Sequence, residues 1–192
     1  GEMFDEFTGR KNPEGKDFPK ARKWYAKAAE QQHPRALYRL GVMNLDGKGG
    51  AKNAAEAAKL LQAALRAATE DCLKDILNDL GYLYEKGSGL KQDAGEALKC
   101  YRRAAELGSA PAQFNMGAIC LEKNNDKEAL KWYVMAARQG QVLAQNNLGT
   151  FYASGKGVKK NLDEAEKWYL MAAQQGDATA AVRLDDRRDR DQ

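Results

Sequence analysis

Residues 144–176 decide the fold of this chain, and they read AQNNLGTFYASGKGVKKNLDEAEKWYLMAAQQG. Apolar side chains recur at helical spacing from Ala144 to Tyr152, which predicts an amphipathic helix. Gly155 and Gly157 then interrupt the pattern and favour a turn that leaves the helix in a left-handed conformation. The remainder is again rich in good helix formers. The stretch therefore predicts a helix, a glycine-rich turn and a second helix.

The same arrangement recurs along the chain. A Leu-Gly or Met-Gly dipeptide recurs in register in four successive helical segments, with the glycines 40, 36 and 32 residues apart. These glycines are Gly41, Gly81, Gly117 and Gly149. The short interval reflects a turn at Lys123–Asp126 that lacks the paired glycines, and the long one an insertion at Thr69–Lys74. A period near 36 residues indicates a repeat array, in which the insertion should lengthen or kink one helix.

Small and aromatic residues occupy fixed columns of the repeat. Helices that press closely together need small residues at the crossing, and the glycines and the Ala-Ala pairs such as Ala172-Ala173 supply them. Trp24, Trp132 and Trp168 share one column and are predicted to fill the space where the helices diverge. Neither helix can bury its apolar face alone, so neighbouring repeats must stack.

The aligned columns resemble the Sel-1-like repeat, a relative of the tetratricopeptide repeat. The residues that carry the resemblance are Ala144, Leu148, Gly149, Tyr152, Gly155, Gly157, Val158, Asn161, Glu164, Ala165, Trp168, Tyr169, Ala172, Ala173 and Gly176. The resemblance implies an all-α fold, a right-handed superhelical solenoid of antiparallel helix pairs, in a bacterial protein. Some members staple each repeat with a regular cysteine pair. This chain has none, so packing must supply its stability.

The ends predict incomplete repeats. Residues 1–17 are expected to hold a truncated first helix and its loop, and residues 18–184 an array of about four to five units. Within that array, Asp177–Leu184 is expected to open a further first helix, with Ala180 in register. Residues 185–192 are polar and are expected to fray. The chain is therefore expected to be a piece of a longer array or an array with a polar cap.

Composition excludes several classes of function. The net charge is only +4, with 31 basic and 27 acidic residues interspersed, which argues against nucleic acid as a partner. The sequence contains no signal peptide and no apolar run of membrane-spanning length. Cys72, Cys100 and Cys120 have irregular spacing and are interpreted as buried apolar residues rather than disulfides or metal ligands. Free thiols suit a cytosol and frequent export of the family suits a periplasmic or secreted protein, so both compartments stay open.

No catalytic constellation is present. The single histidine, His33, precedes a proline in a turn and is interpreted as a surface residue. Ser88 and Ser154 lie in turns without a histidine or lysine partner at motif spacing. The glycine-rich turns lack phosphate-binding spacing. The sequence therefore predicts a protein that is not an enzyme and that needs no cofactor or metal.

A partner is expected on the first helices, which line the concave face in the tetratricopeptide architecture. The candidate columns lie six and three residues before the repeat glycine and one residue after it. The predicted contact residues are Arg35, Tyr38, Val42, Asp75, Asn78, Tyr82, Phe114, Asn146 and Thr150. These columns vary between repeats, as a groove for a specific protein or peptide would. The alternative is that the residues pack on the next helix.

Two functions follow from this interpretation. The first is a non-catalytic interaction module that holds a protein or peptide in the groove, as an adaptor, a regulator or a toxin-immunity protein. The second is a structural scaffold segment of a larger repeat protein in envelope or secretion-complex assembly.

Overall fold

The computed structural model describes residues 17–188, with side chains described as far as Leu184. Within that range the chain forms helices and turns and no strand, which confirms the all-α class. The helices are α1 Phe18–Glu30, α2 Pro34–Asp46, α3 Ala54–Arg66, α4 Glu70–Lys86, α5 Ala94–Glu106, α6 Ala110–Glu122, α7 Asp126–Arg138, α8 Val142–Ser154, α9 Leu162–Gln174 and α10 Ala178–Arg188.

The two predicted terminal segments lie only partly within the described residues. The predicted partial first helix falls on residues 1–16, which lie outside the described residues, as do residues 189–192 of the polar tail. The further first helix is present as α10, and Ala180 is fully buried. Residues 185–188 continue α10, and the fraying expected of residues 185–192 stays a prediction.

Short polar side chains begin the second helix of each pair. Asn53, Asn125 and Asn161 accept hydrogen bonds from the backbone N–H three residues on, at 3.0, 3.3 and 3.1 Å. Such caps satisfy donors that the first helical turn leaves unpaired. His33 does the same for α2, since its Nδ1 accepts from the Ala36 N–H at 3.4 Å. His33 is thus an exposed helix cap, in the turn where the sequence placed it.

The chain divides into two compact units. The described part of the first comprises residues 17–72 and 86–92, and that of the second residues 73–85 and 93–188. In the first unit α2 packs on both α1 and α3. In the second, each helix from α5 to α10 packs on the next. Within each unit, consecutive helices joined by short turns pack against one another, in agreement with the predicted helix pairs.

The insertion lengthens a helix. α4 contains 17 residues, whereas α3 and α5 contain 13 each. The four additional residues therefore extend α4 at its amino-terminal end, beginning at Glu70, as one of the two predicted outcomes.

The repeat glycines lie against large side chains of the following helix. A Cβ placed on Gly81, Gly117 or Gly149 would lie 2.8, 2.6 and 2.6 Å from the rings of Tyr101, Tyr133 and Tyr169. In the first unit Gly41 meets the flexible Leu61 side chain instead, at 3.1 Å. Only a residue without a side chain lets these helix pairs approach so closely.

The second loop glycine contacts the repeat before it. Gly157 has φ +67°, and a Cβ there would lie 3.0 Å from the backbone of Asp126, the first residue of α7. Gly49 approaches Phe18 at the start of α1 in the same way, at 2.5 Å, and Gly89 approaches Ala54 at the start of α3. These loops therefore join successive repeats, a role that the sequence analysis did not assign to them.

The tryptophan column needs one correction. Trp132 and Trp168 are half-buried, and Trp168 packs against the core of α7 and α8. Trp24 is 63% exposed, and Lys27 Nζ lies 5.1 Å from its ring centroid. The described residues begin just before α1, so they include no preceding helix of the same repeat on which Trp24 could pack. Cys72 and Cys100 are buried as predicted, whereas Cys120 is only half-buried.

Candidate partner-binding surface

The structure separates the nine predicted contact residues by exposure. Arg35, Tyr82 and Thr150 are exposed, Tyr82 to 48%. Half-buried are Tyr38, Val42, Asp75, Asn78 and Phe114, and Asn146 is buried. The first three residues in chain order belong to the first unit and the other six to the second, so each unit presents its own surface.

The column three residues before the repeat glycine is engaged by the next first helix. Asn78 on α4 accepts a hydrogen bond from Asn115 Nδ2 on α6, with 3.3 Å between the nitrogen and Oδ1. Asn78 also donates to Asp79 Oδ1 at 3.2 Å. Its amide therefore has both a donor and an acceptor partner within the second unit.

Phe114 occupies the same column on α6 and packs into a core. Its ring centroid lies 5.8 Å from that of Tyr133, which in turn meets Phe151 edge-on at 5.7 Å. This cluster of α6, α7 and α8 side chains leaves Phe114 half-buried. The prediction of an exposed aromatic anchor at Phe114 is therefore wrong in geometry, because the ring fills a gap between helices.

Asn146 needs the same correction, since only 7% of it is exposed. Its Nδ2 donates to Asp177 Oδ1 at 3.1 Å, and its Oδ1 accepts from the Arg183 guanidinium of α10. Arg183 also donates to Thr150 Oγ1 at 2.9 Å and lies 5.5 Å from the Tyr169 ring centroid. Asn146 thus joins α8 to α10 and is not an open hydrogen-bonding site.

Two other columns remain at the surface of the second unit. Residues six before and one after the repeat glycine are seven apart, so they lie on one side of a helix, two turns from each other. On α8 these are Leu143, 51% exposed, and Thr150. Pro111 on α6 and Tyr82 on α4 are exposed in the same two columns. We call these four residues the first-helix surface.

Four glutamines form two hydrogen-bonded pairs, here called the glutamine relay, which the sequence analysis did not predict. Gln113 and Gln145, four residues before the repeat glycines, are buried, and their amides donate to Ala105 O and Ala137 O at 3.1 and 3.2 Å. Each side-chain oxygen accepts from a later glutamine, Gln139 at 2.7 Å and Gln175 at 2.8 Å. Their 32-residue recurrence was the available signal.

The described residues offer little for catalysis. No group of three or more potential metal ligands occurs among residues 17–184. Burial raises the pKa of the Cys100 and Cys120 thiols, which keeps both protonated near neutral pH and weakens them as nucleophiles. In the part of the chain that the structure covers, every helix is too short or too polar to cross a membrane.

Comparison with known proteins decides the family. Five copies of the Sel1 repeat match the chain, at residues 7–33, 34–68, 77–109, 110–141 and 142–177. The chain belongs to the Sel1 repeat family. The unmatched gap at residues 69–76 coincides with the insertion that lengthens α4. Sel1 repeats are protein-interaction modules, and the family is generally non-catalytic.

Solved Sel1 structures share this fold. A Sel1 repeat protein from Oxalobacter formigenes is 36% identical, with TM-score 0.76, over 85% of this chain and 67% of that one. The protective antigen c5321 of uropathogenic Escherichia coli is 34% identical, with TM-score 0.78, over 91% of this chain and 38% of that one. The immunity protein PA5088 of Pseudomonas aeruginosa is 26% identical, with TM-score 0.58, over 89% of this chain and 62% of that one.

A curated relative matches over a shorter stretch. The rat DAP3-binding cell death enhancer 1 is 45% identical over 40 residues, which is 21% of this chain and 8% of that protein. The chain thus spans a small part of this relative and about two fifths of c5321.

Proposed function

We propose that this chain is a non-catalytic adaptor or regulator that binds a protein partner through the first-helix surface of its second unit. The observation that carries the proposal is the contrast between columns. Neighbouring helices contact the column that contains Asn78, Phe114 and Asn146. The side chains of Tyr82, Pro111, Leu143 and Thr150 are exposed, and Thr150 Oγ1 also accepts a hydrogen bond from Arg183.

The chemistry of this surface suits a protein ligand. Tyr82 offers a large ring with a polar tip, which is a frequent anchor at protein interfaces. Leu143 adds apolar area, and covering an exposed leucine with a partner stabilises the complex. Thr150 and Arg183 supply polar groups beside them.

An inhibitory role of the immunity type is one form of this proposal. Its support is the likeness to the immunity protein PA5088, which extends over 89% of this chain. The alternative is a scaffold segment within a larger envelope or secretion assembly. In that case the exposed columns would carry no partner and only the packing columns would matter.

Site-specific photo-crosslinking tests the proposal. p-Benzoylphenylalanine replaces Tyr82 in one variant and Lys99, an exposed residue of α5, in a control. We expect a partner from the native cell to crosslink at position 82 and not at position 99. Tyr82→Ala should then lower the affinity of the purified partner at least tenfold, because interface tyrosines commonly contribute more than about 1.4 kcal/mol.

Opposite results would favour the scaffold. Crosslinking at position 99 alone, or an unchanged affinity in Tyr82→Ala and Thr150→Ala, would contradict the first-helix surface. A scaffold predicts that Tyr82→Ala is silent, whereas a packing variant such as Gly149→Val abolishes assembly.

A further inference from the structure

The shortened turn between α6 and α7 lies beside a cleft in the second unit. The cleft has a volume of about 440 Å³ and is formed by α5, α6 and α7. Leu98, Ile119, Cys120 and Trp132 contribute apolar lining. Two charges of each sign also lie among the lining residues, on Arg102, Lys123, Glu106 and Glu128. A volume of this size lies within the range of about 300–1,000 Å³ that is typical of ligand pockets.

An intact loop shows what occupies the corresponding place in other repeats. Between α8 and α9, Gly157 lies against the first residue of α7, Asp126, and Lys156 Nζ lies 3.2 Å from the Asp126 carboxylate. The next residue, Val158, packs onto the core of α7 and α8. The loop thus covers the start of the preceding second helix with a glycine followed by an aliphatic side chain.

The loop between α4 and α5 repeats this arrangement within the first unit. Gly89 lies against Ala54 at the start of α3, and Leu90 follows it and is half-buried. Ala54 and Asp126 are both half-buried at the first position of their helices. Two of the three loops that contact a helix start in this way, those of Gly89 and Gly157, therefore carry leucine or valine after the glycine, whereas Gly50 follows Gly49.

α5 has no such cover among the described residues. The loop that would reach it has only four residues between Cys120 and Asn125, whereas eight separate Tyr152 from Asn161. Both loops close with the same backbone bond, from the asparagine N–H to the carbonyl of Cys120 or Tyr152, at 2.9 Å in each case. The first residue of α5, Ala94, is accordingly exposed.

We propose that the cleft binds an extended segment of a protein partner in which glycine is followed by leucine or valine. The glycine is needed because a Cβ at the corresponding loop position would strike the helix backbone, at 3.0 Å for Gly157. The aliphatic side chain enters between Leu98 and Trp132, as Val158 enters the core one repeat later. This site is distinct from the first-helix surface and does not rest on it.

A loop graft tests the fit within the chain. Residues 121–124 are replaced by the sequence of residues 153–160, ASGKGVKK, so that the turn regains its full length. Cys120 reports on the cleft because it lines it and is half-buried, whereas Cys72 and Cys100 are buried. We expect at least tenfold slower modification of Cys120 by a thiol reagent than in the native chain. A matched graft with serine in place of the valine should give less than half of that protection.

A peptide tests binding between molecules. The probe is KGSGLKQ, the sequence of residues 86–92, extended by a cysteine held as a mixed disulfide with cysteamine. Exchange with Cys120 is followed by intact mass under a reducing buffer, at alkaline pH because burial raises the pKa of this thiol. We expect at least fivefold more adduct with this peptide than with one in which serine replaces the leucine. Cys120→Ser should give none.

The outcomes separate this proposal from the proposed function. Equal adduct from the leucine and serine peptides, or undiminished adduct with the loop graft, would overturn the cleft proposal. Tyr82→Ala should leave peptide capture unchanged, because Tyr82 belongs to the other surface. Loss of capture in Tyr82→Ala would also overturn a separate cleft site.

Discussion

Two columns of the first helices in the second unit differ in how they vary. The repeat glycine is the same in α4, α6 and α8 and faces a tyrosine ring each time. Three residues earlier, the chain has Asn78, Phe114 and Asn146, and each has a different set of neighbours. The first column fixes how closely the two helices of one repeat approach. The residue type in the second column depends on which side chains of neighbouring helices lie against it.

This difference changes how variation in a repeat protein is interpreted. A column that varies within one chain is often assigned to ligand binding. Here the residue type in the column changes with its neighbours. Asn146 lies opposite Arg183 and Asp177, whereas Phe114 lies opposite Tyr133. Variation identifies a candidate binding column only when its side chains are also exposed, as Tyr82 and Leu143 are.

The largest expected effect is in the glycine column. Gly149→Val should destabilise the fold by about 3 kcal/mol, because its Cβ would lie 2.6 Å from the Tyr169 ring and overpacking commonly costs 1–3 kcal/mol. Urea unfolding followed by circular dichroism measures it. The control is Gly95→Ala on α5, where a Cβ meets only the Asp93 carboxylate at 3.2 Å, and which should change stability by less than about 1 kcal/mol. Equal stability of the two variants would break the comparison.

The apolar member of the variable column comes next. Phe114→Ala should cost about 2–3 kcal/mol, less than the 3–5 kcal/mol of a fully buried phenylalanine because this ring is only half-buried. The same denaturation measures it. Phe114→Leu should recover most of the loss, since it keeps the apolar contact with Tyr133. A loss below 0.5 kcal/mol would return Phe114 to the set of candidate binding residues.

The polar member should show a coupling. Asn146→Ala should cost about 1–2 kcal/mol, because Asp177 and Arg183 each lose a hydrogen-bond partner. In a double-mutant cycle with Arg183→Ala, the double variant should lose about 0.5–1 kcal/mol less stability than the sum of the two single variants. Lys167→Ala, at an exposed pair with Glu164, provides an uncoupled control. Full additivity of the Asn146 and Arg183 changes would contradict a direct contact.

The smallest effect concerns Tyr101, the tyrosine that faces Gly81. Burial, and then a hydrogen bond to Glu85 at 2.8 Å, raise the pKa of Tyr101 above its ordinary value near 10. The unfolded chain therefore releases this proton first, so stability is retained below pH 10 and lost as pH rises above it. Between pH 9 and 11 the native protein should lose about 1 kcal/mol more than Tyr101→Phe does. Parallel pH profiles of the unfolding free energy would contradict this.

The sequence was sufficient where one residue type serves one geometric purpose. Gly149 and Tyr169 recur in fixed columns, so the close helix crossing could be predicted without coordinates. The insertion was located as well, because four additional residues in a helical pattern either lengthen or kink a helix, and α4 is longer.

Pairing between repeats could not be predicted in the same way. Asn146 and Arg183 are 37 residues apart, and their bond depends on how α10 packs beside α8. The sequence alone does not indicate that the column three residues before the repeat glycine, which was predicted to be exposed, faces the next helix. Trp24 belongs to the same case, since the burial of a tryptophan in this column depends on a neighbouring helix as well as on the column.

The glutamine relay has a consequence for engineering the array. Gln113 and Gln145 sit at matching positions, and each accepts a bond from a glutamine at the end of the following helix. The corresponding residue of α2 is Leu37, which has no amide to offer. Residues 110–141 and 142–177 should therefore tolerate duplication as cassettes. Placing α2 before α7 would leave Gln139 without the side-chain oxygen that it meets on α6, so these hydrogen bonds favour one order of the modules.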